Sequence, residues 1–123
     1  MSAEDLAALT DDELAQKFRA LSLRQFECRY DDDQTMANRL YDEREKIAAI
    51  LKSRGPEARR VLLPLLNHKN PQVRLDAAHQ LLAIEPARAR AALVTVAQGI
   101  PSIATAQARS ALRRLDEGAY KPE

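Results

Sequence analysis

The sequence has no tryptophan, one cysteine and three glycines, and aromatics make up 4% of its 123 residues. A lone Cys28 excludes an intrachain disulfide. Three glycines cannot supply the hairpin turns of a many-stranded sheet. No Gly-rich phosphate loop, nucleophile elbow or paired-carboxylate helix motif occurs, so neither a cofactor nor a metal is expected. No charged-then-apolar leader opens the chain, and no apolar run reaches the ~18 residues of a membrane span. A cytoplasmic protein with no membrane partner is the expectation.

What is present is apolar mass carried by Ala, Leu, Val and Ile at helical spacing. Hydrophobic residues are 46% and charged residues 30%, ordinary values for a globular chain. The net charge of +1 is uneven. Residues 1–55 hold 9 Lys/Arg against 12 Asp/Glu, and the remainder 10 against 6. This asymmetry is too mild to imply nucleic acid by itself.

The chain is organised around residues Leu62 to Leu82, LLPLLNHKNPQVRLDAAHQLL. Leucines end at Asn67-His68, Asn70 is a good N-cap, and Pro71 suits the first helical position. Val73, Ala77 and Leu81 then form one stripe, widened by Ala78 and Leu82. Pro64 interrupts the leucine run and should bend its helix. A shift of 30 residues pairs Pro56 with Pro86, Leu63 with Leu93, Leu66 with Val96 and Pro71 with Pro101. It also pairs Val73 with Ile103, Ala78 with Ala108 and Leu82 with Leu112. Such a period signals stacked helical pairs. The spacing predicts helices at 57–67, 71–84, 87–98 and 101–116, with residues 119–123 frayed beyond Gly118.

Upstream, Ser2/Asp5 and Thr10/Glu13 have capping-box spacing. They predict a short helical turn and then a helix over 11–30 faced by Leu14, Phe18, Leu21 and Phe26. Asp31 and Gln34 form a further capping pair. The next helix, 33–54, turns Met36, Leu40, Ile47 and Leu51 inward, with Ile50 alongside. Gly55 stops it and Pro56 restarts the chain.

On Asn67, Pro71, Val73, Arg74, Ala77 and Ala78, the central segment resembles a HEAT repeat, an armadillo-like helical pair. Ala104 stands where Arg74 would recur, which suggests a terminal, capping repeat. The whole chain also resembles a small uncharacterised bacterial HEAT-like family, on the motif from Leu65 to Arg74. The resemblance implies an all-α fold: an N-terminal helical hairpin followed by two HEAT-like pairs in a short α-solenoid. It forms a single domain over 1–123, divided as 1–55, 56–85 and 86–118. It also implies a structural role for Arg74, bonding to the turn of its own or a neighbouring repeat.

The candidate chemistry is sparse. Asp31, Asp33, Thr35 and Asp42 fall at calcium-loop positions, but Met36 stands where such a loop needs glycine, so helix capping explains them better. His68 and His79 are too few for a zinc site, and Cys28 at helical spacing from Leu21 suits a core residue. An enzyme using Cys28 or a histidine is therefore the weakest reading. A DNA- or RNA-contacting module through Arg60 and Arg90, one repeat apart, stands above it. The leading expectation is a non-enzymatic interaction module with a protein partner or a second copy of itself. Its contact face would carry Asp76, His79, Gln80, Arg109 and Arg113.

Overall fold

The computed structural model describes residues 2–123. It is all-helical, with no strand among the described residues. The helices are α1 (Ala3–Ala7), α2 (Asp11–Tyr30), α3 (Gln34–Arg54), α4 (Pro56–Arg59), α5 (Pro71–Leu81), α6 (Pro86–Ala97) and α7 (Ile103–Asp116). A 3₁₀ segment, Arg60–Asn67, follows α4. The chain divides into two compact units, Met1–Leu62 and Leu63–Glu123, and the division falls inside that segment.

In the first unit, both capping boxes form. Ser2 and Asp5 bond reciprocally at α1, and Thr10 and Glu13 at α2. The backbone and hydroxyl of Thr10 hold the Glu13 carboxyl below its ordinary value of 4.5. A lowered pKa means the folded state binds that proton less tightly than the unfolded chain. Its stabilisation is therefore complete above pH 4.5 and is lost as pH falls through the folded value. Acid titration by circular dichroism should show melting temperature falling below that pH, and Glu13→Gln should flatten part of the fall. An unchanged profile in the variant would remove this cap from the acid response.

The third cap differs from expectation. Asp33, not Asp31, caps α3, its side chain accepting from the Met36 amide at 3.1 Å. Asp31 instead closes α2, and Asp32 takes a left-handed φ of 61°. The acidic run is thus spent on one tight turn between two helices.

Helices α2 and α3 form an antiparallel hairpin whose buried positions follow alternating steps of three and four. On α2 these are Ala15, Phe18, Ser22 and Gln25, with Leu14 beside them; on α3 they are Ala37, Leu40, Arg44, Ile47 and Leu51, with Ala48 beside them. Such spacing keeps one seam facing a partner helix. Leu21, Phe26 and Met36, expected inside, are only half-buried. Ser22, Gln25 and Arg44 take the interior positions instead. Arg54 ties the end of α3 back to the start of the chain. It reaches the Asp11 carboxylate and the Ala7 carbonyl, both at 2.8 Å.

Beyond Pro56 the expected helix over 57–67 is α-helical only as far as Arg59. Pro64 has no N–H to donate to the carbonyl four residues back, and its ring crowds that carbonyl. The leucine run therefore winds more tightly, with Pro64 inside the 3₁₀ segment.

In the second unit α5, α6 and α7 pack against one another. Asn70 caps α5, accepting from Gln72 and Val73, with Pro71 at the first position. The 30-residue register holds at Ala78 and Ala108, both fully buried, and at Leu66 and Val96. It fails at the helix start. Val73 is 0% exposed and Ile103 is 48% exposed, and Pro101 lies two residues before α7 rather than at its first position. Ser102 is the cap here, and Thr105 donates to the Ile100 carbonyl at 2.7 Å. That hydroxyl locks residues 100–102 as a loop, and the helix begins after it.

Where fraying is expected beyond Gly118, hydrogen bonds hold the chain as far as Tyr120. Gly118 adopts φ 75° and donates to the Leu115 carbonyl, while Ala119 donates to Arg114 at 2.9 Å. These are the two bonds of a Schellman stop. Tyr120 then turns back, with its hydroxyl 2.9 Å from His79 Nδ1 and its ring under the Arg114 guanidinium.

Candidate binding groove

The contact face expected on α5 and α7 is largely committed within the second unit. Asp76 does not project outward: it is 5% exposed and accepts from Gln72 Nε2 at 2.8 Å. The Val73–Ala77 stripe and its flank are both interior on α5, which carries Asp76 inside. His79 is half-buried against Tyr120, and Gln80 is half-buried and also engaged. Arg109 donates Nε to the Ala97 carbonyl at 3.1 Å, covering the end of α6. This suits a cation at the negative end of a helix dipole. Arg113 is exposed on the last turn of α7.

The two expected anion contacts each hold a carboxylate of their own unit. Arg60 pairs with Glu57 at 2.5 Å, and Arg90 with Asp116 at 2.6 Å. His68 accepts at Nδ1 from the Asn70 amide, helping to set the turn before α5. Cys28 is a half-buried free thiol on α2. No group of three or more His, Cys, Asp or Glu that could hold a metal occurs among the described residues. No described helix is long and apolar enough to cross a membrane.

The feature that spacing did not reveal is a groove of about 600 Å³ in the second unit. One wall is the 3₁₀ segment, through Leu63, Pro64, Leu66 and Asn67, and the other is α6, through Arg88, Ala91, Ala92 and Thr95. Arg74 of α5 completes the lining. The prolyl winding of the first wall and the alanines of the second leave the space between them. No bulky side chain on α6 fills it.

Arg74 departs from its expected role. No side-chain hydrogen bond joins it to the 67–71 turn, which Asn70 and His68 hold instead. Its Nε is buried and has no acceptor among the described residues. Arg88 lies exposed in the first turn of α6, near the positive end of the helix dipole, where a cation gains nothing from the helix. Neither guanidinium has a partner among the described residues, and no acidic residue lines the groove. Thr95 is committed to the Ala91 carbonyl at 3.1 Å, while the Asn67 amide is open. The site therefore combines aliphatic walls, two uncompensated positive charges and one amide. No periodic signal in the sequence marks it, because Arg74 and Arg88 lie on different helices and come to one groove only in the fold.

Comparison with known proteins gives family and fold. No curated protein matches the sequence. A crystal structure of the protein RPA1889 from Rhodopseudomonas palustris CGA009 is 32% identical, with a TM-score of 0.89. The match covers 96% of this chain and 98% of that one. A family model described as a domain of unknown function, DUF2019, matches residues 12–117. With most of its length inside that match, the chain belongs to the DUF2019 family.

Proposed function

We propose that this protein is a non-enzymatic binding module of HEAT-like build, which engages a protein partner through the groove of its second unit. The observation that carries the reading is the pair Arg74 and Arg88, two cations lining one groove that supplies no acid. Charges kept without compensation reduce the stability of the free chain and favour a ligand that supplies the missing acceptor. The HEAT-like build is supported by the helix pairs, by Pro56, Pro71 and Pro86 at first helical positions, and by the shared burial of Ala78 and Ala108. A cytoplasmic setting fits the same reading.

The nucleic-acid alternative is less well supported. Arg60 and Arg90 already hold Glu57 and Asp116, and the groove offers no ring on which a base could stack. Affinity capture from native extract, compared by mass spectrometry with an Arg74→Gln/Arg88→Gln variant, tests the proposal. A protein recovered by the wild-type chain and lost from the variant is the expected result. Identical recovery by both would move the contact away from the groove.

A further inference from the structure

Resting on that reading, we infer that the groove recognises a carboxylate: an acidic side chain of a partner peptide, flanked by aliphatic residues. Arg74 lines the groove, and its guanidinium has no hydrogen-bond or ion-pair partner among the described residues; Nε is closed off inside the unit, which leaves the Nη groups to face a ligand. The two Nη groups of a guanidinium offer a planar fork, which a carboxylate matches with two parallel bonds. Arg88, exposed on the opposite wall, adds a second charge within the same groove.

The walls select among anions. Leu63, Pro64, Leu66, Ala91 and Ala92 form an aliphatic surface with no aromatic ring. A dianionic phosphate pressed against such walls would lose more hydration than a carboxylate carrying a single charge. A glutamate or aspartate between leucines or valines places its charge at the guanidiniums and its neighbours on the walls. The Asn67 amide remains to bond the peptide backbone. The volume of about 600 Å³ is that of a site for a short segment and not of an extended interface.

The test uses the full chain and short fluorescent peptides, followed by anisotropy at low and moderate salt. One peptide alternates Glu and Leu, a second carries Gln for every Glu, a third carries phosphoserine for Glu, and a single-stranded oligonucleotide completes the set. The Glu/Leu peptide is expected to bind more tightly than the other three. Its affinity should fall by about tenfold in Arg74→Gln and again in Arg88→Glu. Arg88 is exposed, so its charge reversal leaves the fold intact, and that variant decides the matter even if Arg74→Gln is destabilised. Equal binding of the Glu and Gln peptides, or no loss in Arg88→Glu, overturns the inference. Tighter binding of the phosphopeptide or oligonucleotide also overturns it. The wider reading fails separately, if extract capture is indifferent to both arginines. Capture that needs the arginines without Glu-peptide binding would leave the groove standing and reject the carboxylate.

Discussion

Phe18→Ala is expected to destabilise the first unit by about 4 kcal/mol. Phe18 is completely buried on α2, and the Arg44 guanidinium of α3 lies 5.9 Å from its ring centre. Truncation removes the largest fully buried side chain among the described residues. It also leaves a cavity beneath an arginine that cannot move into it without burying its charge further. Domains of this size have only ~5–15 kcal/mol of stability. A urea titration followed by circular dichroism should show the midpoint falling by roughly 2 M. Phe18→Leu, which keeps most of the volume, should lose only about 1 kcal/mol. A Phe18→Ala loss as small as that of Phe18→Leu would mean that the α2–α3 seam is not closely packed at this position.

Arg44→Ala is expected to cost about 3 kcal/mol, through a different mechanism. Arg44 is 5% exposed, donates Nη1 to the Gln25 Oε1, and stacks over Tyr41 at 5.1 Å as well as over Phe18. Gln25 is itself buried. Removing the guanidinium leaves an amide oxygen in the interior without its donor, and that desolvation cost is larger than the bond's net contribution. The loss should therefore depend on Gln25. Arg44→Met keeps the packing of the stem, and Arg44→Met with Gln25→Leu removes both polar partners together. The double variant should recover most of the stability lost in Arg44→Met, read by the same titration as a double-mutant cycle. Strictly additive losses would show that the two side chains are not coupled.

The same pair explains why the hairpin core was only partly legible. Leu14, Phe18, Leu40, Ile47 and Leu51 are apolar at helical spacing, and they are buried as that spacing predicts. Reading apolarity alone passes over Arg44 and Gln25, because a charge and an amide score as surface. It then extends the stripe to Leu21, Phe26 and Met36, which are half-buried. The seam continues geometrically through polar residues, and only the partner helix satisfies them. In the second unit Pro71 and Pro86 marked helix starts correctly and Pro101 did not. Pro101 failed because Thr105, four residues on, bonds back to Ile100 and delays the helix. A short loop bond of that kind leaves no periodic trace.

By itself the sequence determined that the protein is built of helices, and where most of them begin. Caps, prolines and 3.6-residue spacing act over a few neighbours, so their energies are written locally. Tertiary structure alone decided which polar groups went inside, that Asp76 turned inward, and that Arg74 and Arg88 came to line one groove with no acid. Those outcomes depend on which atoms lie across the packing from each side chain, and residues distant in the chain supply them.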